Sequence, residues 1–245
     1  MKKITLICVI SIITVISGYA QLFKKAEQEF KKKFFIAENY LSEENYAHAM
    51  PIYLQLDSMD PMNSNINWKI GVCYLNSTTE KTKAIPYLKK AILNATINYD
   101  EDSYTERNAF FIAYYDLARA YHLNYQLDTA IKTYEKFKTY LNERQTETSF
   151  DANRQIKMCI NAKELMAITQ NVIITNLGKG INSPASEHSP VISADESTLI
   201  FTSRREGSTG GKQEENGQYY EDIYISYKIA GEWSAPVQID KNINT

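Results

Sequence analysis

From residue 22 to residue 170 the apolar positions recur at helical spacing; after Thr169 they give way to short runs of β-branched and aromatic residues separated by turn formers. In the helical part Phe23, Ala26, Phe30, Phe34 and Ala37 share one apolar face. Further on, a small residue is followed four positions later by a large one three times: Ala49 and Tyr53, Ala84 and Leu88, Ala130 and Tyr134. Upstream of each stands a second short pattern, Ala37 with Tyr40, Gly71 with Tyr74, and Ala118 with Tyr121. Small residues let two helices approach and large ones fill the gap beside them, so these positions predict three helix pairs. A further helix from about Asp151 to Thr169 carries Ile156, Cys159, Ile160, Ala162 and Met166 at helical spacing. Strands are predicted over 171–178, 190–193, 198–204 and 222–228, with a turn at 230–233 leading into 234–239. Asp195 and Ser197 make the turn between the second and third.

The first 21 residues change the picture of where the chain works. Lys2 and Lys3 precede an apolar stretch from Ile4 to Ile16, and Gly18-Tyr19-Ala20 supplies small residues where a signal peptidase cuts. An export signal removed after Ala20 is expected; the competing reading, a retained anchor, has a stretch short for a span. Without Lys2 and Lys3 there are 25 basic against 29 acidic residues, so no electrostatic footprint points to nucleic acid or an anionic membrane. Cys73 and Cys159 lie on helical patterns without a CxxC companion, which favours buried small residues over a disulfide.

The helical pattern is also a repeat. Ala37 to Gly71 is a step of 34 residues, and Gly71 to Ala118 is 47, one period plus an insertion, "TINYDEDSYTER". This pattern, with Pro61 after the first unit, resembles the tetratricopeptide repeat. Departures are Trp68, one residue beyond the family's tryptophan position, one extra residue between Gly71 and Ala84, and Asn142 where the third unit's proline would stand. The resemblance implies a solenoid whose groove, lined by the first helix of each pair, holds a protein partner. On that register Phe34, Glu38, Asn65, Trp68, Tyr115, Arg119 and His122 face the groove, although Trp68 and Tyr115 also fit a core reading. Arg119 and His122, three residues apart on one helical face, are expected to grip an acidic partner together.

The strand part carries a second resemblance. Ser189, Pro190, Asp195, Phe201, Thr202, Ser203 and Arg204 stand where the WD40-like repeat of TolB-type propellers has its Ser-Pro, its Asp turn and its Phe-Thr-Ser-Arg strand end. Together with the helical repeats, the chain resembles OmpA-family envelope proteins of Bacteroidetes-type bacteria, including PorE-like components of type IX secretion. The resemblance implies an α+β multidomain chain: a signal peptide over 1–20, a tetratricopeptide domain over 21–170, and an incomplete β-propeller of about one blade over 171–245. A lone blade is expected to leave Ile200, Phe201, Ile223 and Ile225 open to water, which suggests the N-terminal part of a longer protein. Peptidoglycan would be bound only through a C-terminal domain absent from this sequence.

Chemical motifs are near misses. In "GSTGGKQ" Glu206 replaces the leading glycine of a phosphate loop and Gln213 its Ser or Thr. "DEDSYTE" alternates acids like a calcium loop, but Thr105 takes the glycine position and Phe111 the closing glutamate. His48, His122 and His188 are scattered, and no GxSxG elbow is present. Arg204 and Arg205 are expected to pair within the blade, with Glu221 or Asp222. Taken with these near misses, the resemblance implies a non-enzymatic periplasmic scaffold near the outer membrane, with no cofactor or metal and with envelope proteins as partners. Two alternatives are the leading part of a propeller-containing peptidase and a free-standing periplasmic adaptor.

Overall fold

The computed structural model describes residues 2–77, 80–141, 146–168, 171–214 and 217–244, with backbone alone for 2–20, 146–148 and 150. It is an α+β structure, with seven α-helices followed by an antiparallel sheet that curls into a half-barrel. Helix α1 (Lys2–Ser42) packs on α2 (Tyr46–Met59), α3 (Ser64–Leu75) on α4 (Ala84–Ala91), and α5 (Ala113–Leu123) on α6 (Leu127–Lys138), which in turn packs on α7 (Thr146–Ala167). The expected export signal forms the first half of α1, where side chains lie outside the described residues. Among the described residues no helix is long and apolar enough to cross a membrane.

Local chemistry sets the helix ends. The Asn45 carboxamide accepts from the His48 amide at the start of α2, and that of Asn63 accepts from the Ile66 amide at the start of α3, each satisfying an otherwise unpaired first-turn donor. Pro61 follows α2 directly and cannot donate to it. Helix α7 starts at Thr146 rather than near Asp151, because its first turn is polar and leaves no apolar periodicity to read. Position 142 lies outside the described residues.

Between the paired helices the small and large residues meet. Ala37, Ala49, Ala84, Ala118 and Ala130 have no exposed surface, and neither do Tyr53, Leu88 and Tyr134. The core runs from Phe34, Leu56, Ile66 and Ile70 in the first two pairs to Leu127, Ile156 and Cys159 at the other end. Cys73 and Cys159 are both buried free thiols.

The sheet pairs β3 (Glu187–Ile192), β4 (Thr198–Ser203), β5 (Asp222–Ile229) and β7 (Val237–Gln238) in that order, with β6 (Glu232–Trp233) folding against the end of β5. The remaining two strands, β1 (Ala95–Thr96) and β2 (Ala109–Phe110), belong to the helical part and pair with each other. Residues 171–178, expected as a strand, form none; Ile173 and Ile174 are 94% and 93% exposed. β-branched composition alone does not make a strand; pairing is decided by the tertiary surroundings.

The two faces of the sheet differ. On one, Leu199, Phe201 and Tyr224 are buried with Ile181, and the Arg205 guanidinium lies 5.3 Å from the Phe201 ring centre and 4.8 Å from that of Tyr224. On the other, register aligns Val191, Ile200, Ile225 and Val237 in one row across four strands. Val191 and Val237 in that row are exposed. Phe201 was expected on the open side; alternation along β4 places it opposite Ile200, beneath Arg205.

Candidate functional site

The first helix of each pair contributes to one continuous polar row. On α1, Glu38 accepts from the Tyr53 hydroxyl at 2.5 Å and from the Lys69 ammonium of α3 at 2.8 Å. The Lys69 side chain is 3% exposed and that of Glu38 22%, so the pair is nearly dry. Next to Lys69, the Trp68 indole donates to Asp116 of α5 at 2.8 Å, and Arg119 stands 3.5 Å from the same carboxylate. Tyr115, also on α5, donates to Asp151 of α7, which pairs with Arg154 at 2.8 Å. Thus α1, α3, α5 and α7 are linked side by side by polar contacts, while α2 and α4 supply apolar backing through Tyr53 and Leu88, and α6 through Tyr134.

Burial sets the protonation of this row. Desolvation pushes the Asp116 carboxyl up, against the pull of Trp68 and Arg119. Burial, with help from the Asp151 carboxylate, pushes the Tyr115 hydroxyl up to about 12, and Tyr115 in turn holds Asp151 below its ordinary value. His122 is part-buried and hydrogen-bonded to Gln155; desolvation lowers its pKa, so it is mainly neutral at pH 7. Arg119, its side chain 39% exposed, directs its charge to Asp116. At neutral pH the charge of this pair of residues is that of Arg119, and it stands next to Asp116.

The other expected groove residues fall into two groups. Phe34 and Asn65 are buried. Phe34 packs in the core with Lys69 over its ring at 5.9 Å, and the Asn65 carboxamide is covered by Tyr99, whose hydroxyl donates to Oδ1 at 2.8 Å. Glu38, Trp68, Tyr115, Arg119 and His122 remain partly accessible. Lys69, Asp116 and Asp151 complete the row without having been singled out in the sequence. Lys69 had a signal, a lone cation inside the apolar helix "NINWKIGVCYL"; Asp116 and Asp151 had none, since their partners are 48 and 36 residues away.

The residues matching the propeller motif serve the sheet itself. Ser189 has φ +52°, and with Pro190 it makes the register shift in β3 between His188 and Val191, a bulge that a residue lacking N–H suits. Asp195 accepts from Ser193 at 2.5 Å and from the Ser197 amide at 3.1 Å, which holds its carboxyl down at about 2. Thr202 pairs with Ile223 in register, and the buried Ser203 hydroxyl donates to Glu187. Arg204 pairs with Glu221 at 2.9 Å and Glu214 at 3.0 Å.

Between the helices and the sheet lies a cleft of about 690 Å³, lined by Tyr46, Met50 and Cys73 on one side and Pro184, Arg205 and Tyr219 on the other. Burial pushes the Cys73 thiol up to about 12, which makes it a poor nucleophile there. Among the described residues no three His, Cys, Asp or Glu side chains converge as a metal site would require. No protein-family model matches the sequence, and no curated protein matches it.

Proposed function

We propose that this chain is a non-enzymatic adaptor of the cell envelope that captures protein partners along the row of α1, α3, α5 and α7. The observation carrying this reading is the side-by-side linkage of those helices by Glu38, Lys69, Trp68, Asp116, Tyr115 and Asp151, which leaves a rigid, partly polar surface. Such a surface suits recognition of an extended segment, with Trp68 and Tyr115 as aromatic anchors and Arg119 on the rim. The 34-residue step and the buried small residues at the pair crossings support a tetratricopeptide solenoid. The four-strand row of aliphatic side chains on the sheet supports a propeller blade whose open face packs on a neighbouring blade. With the export signal expected at the N-terminus, the place of action is the periplasm near the outer membrane, and the assembly served is type IX secretion or a related machine.

Site-specific photo-crosslinking tests the surface. A photoreactive residue at His122, on α5, is expected to trap an envelope protein from solubilised membranes, whereas one at Lys132, on the exposed side of α6, traps none. Equal adducts at both positions, or none at His122, would overturn the reading.

A further inference from the structure

The insertion that breaks the 34-residue period does not hang free. It leaves the helices at Ala95 and returns at Ala109, where β1 and β2 close its root, and between them residues 97–108 fold back across α1 and α3. Two tyrosines hold it there. Tyr99 sets the edge of its ring against Trp68, 5.7 Å between centres, and its hydroxyl donates to Asn65. Tyr104 lies under the Lys31 ammonium, 5.0 Å from its ring centre, with its hydroxyl donating to Glu27 at 3.0 Å and Phe35 beside it at 6.4 Å. Glu27, Lys31, Phe35 and Glu38 follow helical spacing on α1, so the loop lies along the α1 and α3 end of the surface assigned above to partners.

The loop is acidic, and the part of α1 it crosses carries both signs of charge, with Glu27, Glu29 and Glu38 among its lysines. Asp100, Glu101, Asp102 and Glu106 sit between and beside the two tyrosines, and α1 carries Lys24, Lys25, Lys31, Lys32 and Lys33. The fit is also incomplete. The Asn65 side chain has no exposed surface and its Oδ1 is engaged by Tyr99, yet its Nδ2 donates to nothing in the protein. A buried unpaired donor is costly, and a peptide carbonyl of the incoming segment, reaching Nδ2 while its tyrosine takes Oδ1, would satisfy it.

Resting on the adaptor reading, we infer that residues 97–108 are a built-in occupant of the groove, and that the partner taken at this end is an acidic, tyrosine-bearing extended protein segment that replaces Tyr99 and Tyr104 as the loop swings out. The loop then sets a threshold for capture, because a partner binds only the fraction of molecules in which it is open. The hold is a small set of contacts: Tyr99 on Trp68, Asn65 and Phe110, Tyr104 on Lys31, Phe35 and Glu27, Arg107 paired to Asp60 at 2.7 Å, and the Arg107 carbonyl accepting from the amides of Ser64 and Asn65, which the incoming segment must satisfy in its place. Residues 109 and 111, buried in the core, stay behind as the hinge.

A labelled peptide with the sequence of residues 97–108 is the probe, titrated by fluorescence anisotropy into the full chain. Against the Tyr99→Ser, Tyr104→Ser double variant it is expected to bind about tenfold more tightly than against the unaltered protein, as for a loop closed about nine-tenths of the time. The same peptide with both tyrosines changed to serine is expected not to bind, and salt is expected to weaken the native peptide. Equal affinity for the two proteins, or binding that ignores the tyrosines, overturns the proposal. Should the double variant fail to fold, hydrogen exchange on the unaltered protein decides: excess peptide is expected to raise exchange within 97–108 and lower it on α3, and an unchanged pattern overturns the proposal. The His122 crosslink lies at the other end of the row and does not pass through the loop. Failure of the peptide with that crosslink intact removes the built-in occupant alone, and loss of the crosslink removes the adaptor reading.

Discussion

Gly71 of α3 faces Leu88 of α4 so closely that a Cβ on Gly71 would sit 2.4 Å from both Cγ and Cδ2 of Leu88. Leu88 is fully buried, and interiors are close-packed, so the contact sets how near the two helices of the second pair can come. Gly71→Ala would gain about 1 kcal/mol of helix propensity, yet the overlap is expected to outweigh it, for a net loss of about 1–2 kcal/mol. In the Leu88→Ala background the same change is expected to become neutral or stabilising. Urea unfolding of the four members of this cycle measures the coupling, and additive effects would show that the crossing has room to spare.

Lys69 and Glu38 connect α1 to α3 in a nearly dry setting. Lys69→Ala leaves Glu38 with the Tyr53 hydroxyl as its remaining partner and is expected to cost about 2–3 kcal/mol, at the low end for a broken buried pair because Glu38 still reaches water. Changing Lys69 to Met and Glu38 to Gln together is expected to recover most of that loss. Chemical denaturation monitored by helical circular dichroism provides the comparison.

Asp116 gives the helical part a distinctive pH dependence. Its folded pKa is raised by burial above the unfolded value of about 3.9, so the folded state holds the proton more tightly. The contribution is therefore fully favourable below that unfolded value and is lost as pH rises through the folded pKa. Asp116→Asn keeps an acceptor for the Trp68 indole and is expected to raise the midpoint of unfolding at pH 7 while removing the decline above pH 4. A lower midpoint at pH 7 would mean that the Arg119 pairing outweighs desolvation.

The faces of the sheet are expected to respond unequally. Phe201→Ala empties the site beneath Arg205 and is expected to cost about 3–4 kcal/mol, whereas Ile225→Ser on the open side costs about 1 kcal/mol or less. Trp233 packs at the edge of that cluster, and in a Trp68→Phe background its fluorescence follows the sheet alone. A larger loss from Ile225→Ser would show that the aliphatic row is already covered.

How much of this was readable in advance differs from element to element. The alanines at 37, 49, 84, 118 and 130 announced the helix crossings because close packing leaves a mark at fixed spacing, and the buried positions of Tyr53, Leu88 and Tyr134 follow from the same rule. The strands around Phe201 and Tyr224 were legible from their runs of β-branched and aromatic residues, while the inward side of Phe201 was not. Residues 171–178 were not, since their composition is that of a strand, and whether such a stretch pairs is decided by its tertiary surroundings. The spacing of Glu38, Trp68, Tyr115, Arg119 and His122 was legible on the helices that carry them, but not the fact that Phe34 turns into the core or that Tyr99 covers Asn65.

The amino-acid order, then, settled the helical stretches, their crossing faces and the later strands, because those preferences come from neighbours within a few residues; the lack of a strand at 171–178 and the inward turn of Phe34 and Phe201 were decided by packing. Partnership was decided elsewhere. That Lys69 finds Glu38, that Asp116 lies under Trp68, and that an acidic insertion folds back on α1 depend on side chains brought together across 31, 48 and 77 residues of chain. Contacts at such separations leave no periodic trace, and only the packed helices place the charges in one row.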